Sequence, residues 1–361
     1  MSQRTTFIVG AVAIAAALAA ALMPLSPVLV ERAFSTGAYP VVQRVVTSVS
    51  NLLPFAAFDI LLVAVVATAV FALQRGVVAS FKTRHVAPLA RVLFAFASGG
   101  ALAYIVFLGL WGLNYRRVPM LSRLDVVASV AGTDAVRSLG LDAVRRLNEL
   151  HAEAHRIGWA EPEWSNATLT ASAAQVQREL TGVRAAVPGR LKDTALGPWF
   201  RWNGVDGMVN PFGLEVLENP DLLPFERPFV AAHEWAHLAG FASEAEASFV
   251  GFLTCVRGGI PDQYSGWLYL YWQVAGETDA QTRRQLSDAL APGPRADVQA
   301  IIARLRAGEL PALRLASWRA YDTYLKANRV ESGVRSYGEV VNLLVRARFN
   351  PGWVPVRRAA R

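Results

Sequence analysis

The chain has 361 residues, a formal net charge of +8 and 53% hydrophobic residues, with a mean hydropathy of +0.29. That length holds one large domain plus a membrane section, or two modest domains, and the apolar excess argues against a wholly soluble protein. The basic balance does not point to nucleic acid, because the basic residues are dispersed, mostly Arg, and lie in no aromatic-interleaved cluster or nucleic-acid motif.

The apolar residues are concentrated in the first third. Phe7 to Val30 carries no charge and is long enough to cross a bilayer core. A second run, Ile60 to Leu73, extends back to Leu52 if Asp59 lies at the interface. A third, Val92 to Leu113, ends in Trp111 and Tyr115, the residue types of an aromatic belt. The sequence therefore predicts a membrane region over 1–113 with three transmembrane helices, about 7–30, 54–74 and 92–113, and the lipid bilayer as a partner. With Arg4 ahead of it and Ala-x-Ala patterns within it, the first run also fits a cleaved signal peptide.

Residues 74–91 carry Arg75, Lys82, Arg84 and Arg91 with no acid, whereas 31–53 carry Arg32 and Arg44 against Glu31. Basic loops stay in the cytoplasm, which places 74–91 there and everything beyond Leu113 on the far side, although Arg116 and Arg117 pull mildly the other way. Asp59 reads as a helix-start or solvated carboxylate. The single Cys255 permits no internal disulfide and reads as a small core residue.

Residues 114–361 are expected to form one α-rich domain with a small β element. Asp134 or Leu141 to Ile157 has the stripe of an amphipathic helix. It carries His151 and His155 four apart, a pair that could bind a metal; with no Glu after the first His and no third ligand in view, a structural role at the solvent edge is expected. Ala171 to Val183 reads as a helix. Between Pro188 and Val216 short β-prone pieces follow, Trp199 to Trp202 and Gly213 to Leu217, the latter a candidate strand beside a substrate peptide. Later helices are expected around 262–275, 279–289, 295–306, 312–327 and 337–346.

The chemistry is carried by His233-Glu-Trp-Ala-His237. Residues four apart share a helix face, so both imidazoles can reach one ion, and Glu234 sits where its carboxylate can take a proton from a water activated by that ion. Pro228 suits a first turn, and Gly240 a C-cap. Ser243-Glu-Ala-Glu246 then reads as a capping box, Glu246 reaching back to Ser243. A catalytic zinc takes three protein ligands, and no His follows His237, so a downstream third ligand must be a carboxylate. Glu244 is favoured over Glu246, which has the capping task. Glu244-x-x-Ala247-Ser248 resembles the Glu-x-x-Ala-Asp signature of membrane zinc proteases, with Ser248 as an uncharged partner for a ligand His.

These residues belong to a wider resemblance. Trp111-Gly-Leu-Asn-Tyr-Arg-Arg117, Asn210-Pro-Phe-Gly-Leu-Glu215, Leu223-Pro-Phe, His233 to Gly240, Ser243 to Phe249, and Tyr324-Leu-Lys with Gly333 to Gly338 together resemble a poorly characterised family of bacterial multi-pass membrane proteins with an HExxH site. Relatives tend to have Asn at Ser248 and an aromatic residue at Arg116. The resemblance implies a metallopeptidase of zincin type by motif, without a known substrate. It also favours Tyr324 and Tyr337 as candidates to stabilise the oxyanion.

The combined expectation is a mainly α protein, its transmembrane helices followed by a zincin-like domain facing the periplasm or exterior of a bacterial cytoplasmic (inner) membrane. One zinc per chain would be held by His233, His237 and Glu244, and Glu234 would act as general base on a peptide or protein substrate. Two other classes stay open: a membrane sensor or scaffold whose structural zinc is closed by Glu246, and a zinc hydrolase acting on a non-peptide cell-envelope molecule.

Overall fold

The computed structural model describes residues 3–127, 132–161, 163–308, 310–328 and 339–358. The described chain is mainly helical, and three of its helices are long and apolar enough to cross a membrane: α1 (Gln3–Leu22), α4 (Ala57–Thr83) and α5 (Ala87–Leu110). α5 packs against both α1 and α4, and the rest of their apolar surface is exposed.

Their ends differ from the sequence expectation. The first span stops at Leu22 rather than Val30, because Pro24 and Pro27 push the residues before them out of helical conformation. Between the second and third spans there is no long loop. α4 continues to Thr83, Arg84 turns the chain at φ 54°, and α5 starts at Ala87, which leaves Arg75, Lys82 and Arg91 on helix ends around a tight turn.

Residues 31–53 are not a loop either. α2 (Pro27–Val30) runs through a wider π-helical stretch, Glu31–Ala38, into α3 (Tyr39–Ser50). The polar stripe of α3 faces protein, not water. Gln43 donates to Val187 O at 2.8 Å, Thr47 to Leu214 O at 2.8 Å and Tyr39 to Leu238 O at 2.8 Å. These bonds fix residues 27–50 to the domain that follows the third span.

That domain starts with a 3-10 turn, Gly112–Arg116, and the short α6 (Met120–Arg123). α7 (Thr133–Ile157) lies along α12 (Ile260–Glu277), and α8 (Ala167–Thr181) packs on α11 (Glu244–Val256). A three-stranded sheet has the order β1 (Leu191–Lys192), β3 (Glu215–Glu218), β2 (Gly207–Asn210), with β1 parallel and β2 antiparallel to β3. The strand expected at Gly213 to Leu217 is thus the central one and has both edges filled. Trp199 to Trp202, expected to be extended, lies in α9 (Gly197–Asn203), which Pro198 starts and a left-handed Gly204 ends.

α10 (Arg227–Leu238) and α11 form the centre, both buried on nearly every side, with α12 against them. α13 (Ala280–Ala289), α14 (Pro292–Gly308), α15 (Pro311–Ala327) and α16 (Glu339–Arg346) wrap the outside. β4 (Phe349–Asn350) and β5 (Val354–Pro355) form a hairpin against residues 124–127.

The spans and the domain are locked by buried charge. Glu215, from β3, accepts from the backbone N–H groups of Ala57 (3.1 Å) and Phe58 (2.7 Å), so a distant carboxylate caps the first turn of α4, whose own N-cap residue Ala56 cannot. Lys192 pairs with it at 2.9 Å, both side chains almost fully buried. Burial works against charge on Glu215, but Lys192 and these donors outweigh it and hold the carboxyl below its ordinary range. Asp59, one turn into α4, accepts from Thr194 Oγ1 at 2.6 Å and Ala195 N at 2.8 Å, which fastens the approach to α9.

Candidate metal centre

α10 carries His233, Glu234 and His237, and its orientation is set at the C-terminal end. A helix leaves its last carbonyls without intrahelical partners. Here residues that adjoin the long apolar helices satisfy them: Tyr39 Oη donates to Leu238 O, Trp111 Nε1 to His237 O at 3.0 Å, and Arg117 Nη1 to Gly240 O at 2.8 Å. Arg117 also holds Glu31 in a two-pronged pair at 2.9 and 2.7 Å and lies 5.1 Å from the Phe241 ring centroid. The Trp111–Arg117 motif directly after α5 therefore anchors the end of the helix that bears the histidines.

α11 then crosses α10 at His233. The contact is close because Gly251 faces the His233 backbone, where an added Cβ would lie 3.1 Å from His233 N. The crossing brings three donor atoms together. His233 Nε2 and His237 Nε2 are 3.1 Å apart, and Glu244 Oε2 lies 3.2 Å from the first and 3.4 Å from the second. In a tetrahedral zinc site with bonds of about 2.0–2.1 Å, neighbouring ligand atoms are roughly 3.3–3.4 Å apart. The triangle has that size.

Each histidine has its other nitrogen occupied. His237 Nδ1 donates to Phe241 O at 2.8 Å, which leaves Nε2 to face the cluster. His233 Nδ1 lies 3.2 Å from Ser248 Oγ, which also accepts from Tyr269 Oη at 2.8 Å. Tyr269 stacks flat on Phe229, ring centroids 3.5 Å apart, and so is fixed in turn.

Glu244 and Glu246 separate clearly. Glu244 is in the cluster, and its Oε1 accepts from Tyr321 Oη at 2.6 Å. Glu246 points away and accepts from Met120 N at 2.6 Å. The capping box is absent: Ser243 occupies the N-cap position but its side chain makes no cap bond. Tertiary pairing of Glu246 with the start of α6 takes its place. Tyr337 lies outside the described residues, and Tyr324 is on α15 with its side chain outside them. The tyrosines placed at the cluster are Tyr321, one turn before Tyr324, and Tyr269. Tyr269 sits in the aromatic run Tyr264–Trp272 of α12, and no local pattern ties it to a histidine on another helix.

The electrostatics follow from burial. Without an ion, burial disfavours charge on His237, but the Glu244 carboxylate outweighs it and pushes the imidazole up to about 9. Glu244 is driven the other way: burial alone would raise it, and the two histidines hold it well below the ordinary range. Glu234 is raised by burial, which the histidines only partly offset. Its Oε2 is buried with no hydrogen-bond partner, an arrangement that costs about 1–3 kcal/mol unless something fills it. An added Cβ at Gly207 of β2 would lie 2.8 Å from Glu234 Oε1, so that glycine lets an edge strand run directly against this carboxylate.

His233, His237, Glu244 and the unpartnered carboxylate of Glu234 thus fit a divalent ion with a water beside it. A family described as "Protein of unknown function (DUF3810)" matches residues 34–345, and the chain belongs to it. No curated protein and no solved structure matches the chain.

Proposed function

We propose that this family member is a membrane-anchored, zinc-dependent metallopeptidase in which His233, His237 and Glu244 hold one zinc and Glu234 is the general base. The observation that carries this reading is the buried, unpartnered Oε2 of Glu234 beside three donors at zinc-ligand spacing. A zinc there supplies Lewis acidity, polarising a carbonyl and making a water acidic enough to lose a proton near neutral pH. Glu234, raised by its burial, takes that proton and passes it to the leaving amine as the C–N bond breaks. Tyr321, donating its O–H to Glu244, orients that carboxylate within the cluster.

An open site is favoured over a closed structural one, because Glu246 is engaged by Met120 and no fourth His, Cys, Asp or Glu joins the cluster among the described residues. A peptide is favoured over other substrates by β2. Among the described residues it pairs only with β3, which leaves its outer edge for an extended chain next to Glu234. The His237 and Trp111 rings are 6.2 Å apart, and Trp111 closes the third span. That position supports a substrate close to the bilayer surface. The basic residues around the Arg84 turn support an orientation with that turn in the cytoplasm and the cluster on the periplasmic or exterior face of a bacterial inner membrane.

The test uses the full-length protein purified in detergent, with zinc per chain and hydrolysis of a mixed peptide pool measured together. Wild type should hold zinc in the cluster and cleave, Glu234→Gln should keep that zinc and lose cleavage, and Glu244→Ala should lose both. Full activity in Glu234→Gln would sink the mechanism.

A further inference from the structure

A second cluster lies away from the first. His151 and His155 are one turn apart on α7, ring centroids 4.2 Å apart, and α14 brings Asp297 to them. Asp297 Oδ2 is 2.8 Å from His155 Nε2 and 3.5 Å from His151 Nε2. The donor atoms of these three residues all lie within 4.8 Å of one another.

Three further observations show a shaped site and not a chance meeting. First, Tyr264 Oη donates to the same Asp297 oxygen at 2.5 Å, so the carboxylate is oriented from behind in the way that ligating carboxylates are. Second, α14 approaches His151 at Gly293, where an added Cβ would lie 2.3 Å from the imidazole Cε1; no other residue type fits with the ring in place. Third, the cluster is walled yet reachable. Trp159 and Tyr264 stand edge-on to His155 at 4.9 and 5.9 Å, whereas the His155 side chain is 37% exposed and Asp297 only 11%.

We propose that His151, His155 and Asp297 form a second metal site, for a divalent transition ion such as zinc, that staples α14 to α7. Two imidazoles and one carboxylate suit zinc, nickel or cobalt better than calcium or magnesium, which prefer oxygen alone. Ala152 stands where the first cluster has its Glu234, so this site carries no base and is no second hydrolytic centre. Its reach is mechanical. Arg304, two turns along α14 from Asp297, pairs with Asp206 at 2.9 Å and Glu226 at 2.7 Å, residues that flank the start of β2 and of α10. An ion on Asp297 therefore fixes the helix that clamps the edge strand and the histidine helix.

The experiment strips the detergent-purified full chain with chelator and titrates it with Co²⁺, reading ions per chain and the thermal midpoint. Wild type should take two ions. Asp297→Asn and His155→Gln should each take one at concentrations that fill both wild-type sites, the second affinity falling at least about tenfold. His155→Gln keeps an N–H for Asp297, so it preserves the hydrogen-bonded network while removing a ligand. The midpoint should rise with the second equivalent in wild type and not in this variant. A single ion in wild type that both variants retain, or two ions in all three proteins, would overturn the proposal. One ion in wild type that His155→Gln loses would keep this site and count against the ion at His233.

Discussion

Two histidine pairs four residues apart stand on helices of this protein, and each meets one carboxylate, but the clusters differ in depth and company. Around His233 and His237 the carboxylate arrives seven residues later on the next helix, the donors are largely buried, and Glu234 stands beside them unpartnered. Around His151 and His155 it arrives from 142 residues beyond His155, both imidazoles are partly exposed, and Ala152 replaces the base. A pair at this spacing is a property of any helix face. What separates a hydrolytic candidate from a staple is a desolvated carboxylate next door and an open strand edge beside it.

The largest expected effect tests that statement. Glu234→Gln should lower the rate of peptide hydrolysis by about 10²–10⁴ with zinc retained. Adding Ala152→Glu to that variant, which writes the same motif into the second cluster, should restore nothing, because position 152 is exposed and would not raise its carboxyl. Hydrolysis regained in the double variant would show that depth is irrelevant.

Next comes anchoring, which only the first cluster has. Arg117→Met leaves Gly240 O without its donor and Glu31 with Arg123 alone, at 3.3 Å, and should cost about 1–3 kcal/mol in reversible unfolding followed in detergent. A loss under about 1 kcal/mol would mean that the pair is solvated and of the surface kind. Glu31 is held below its ordinary range, burial being outweighed by Arg117, so its contribution is present above about pH 4.5 and is lost as pH falls through the depressed value. The Arg117→Met variant should therefore lose part of the wild-type acid sensitivity.

A smaller effect is expected at the histidine support. Ser248→Ala removes the acceptor for His233 Nδ1 and should weaken zinc at the first cluster roughly tenfold, without touching Co²⁺ binding at the second. Smallest is the proton count. Raised to about 9, His237 is charged at pH 7.5 and must give up its proton to bind an ion, whereas His151, lowered, is already neutral. Titration calorimetry in two buffers of different ionisation enthalpy should show His237 releasing about one proton per ion filling the first cluster, and His151 contributing none at the second.

The reach of the sequence follows the same division. Long apolar runs mark the three candidate spans, because hydropathy over twenty residues is a local quantity, but their ends were set by Pro24, Pro27 and the turn at Arg84. The helices after residue 260 are legible from periodicity and Gly/Pro punctuation. Residues 31–53 are not, since a polar helix stripe such as Gln43, Thr47 and Ser50 reads as solvent-facing until its partners are known. Trp199 to Trp202 misleads for the opposite reason: aromatic residues favour strands on average, and here Pro198 and Gly204 frame a helix whose Phe200 fills a small core.

By itself, then, the sequence determined what depends on neighbours along the chain: a mainly helical protein, three apolar helices, and histidines paired on a helix face with a glutamate between them. The tertiary structure alone decided what depends on neighbours across it. It turned Glu244 into the cluster and sent Glu246 to Met120, supplied Tyr321 and Tyr269, placed β2 and not β3 at the open edge, and delivered Asp297 to a second pair of histidines. Spacing along a helix is fixed by 3.6 residues per turn, whereas a carboxylate's destination is fixed by which buried donor it must satisfy.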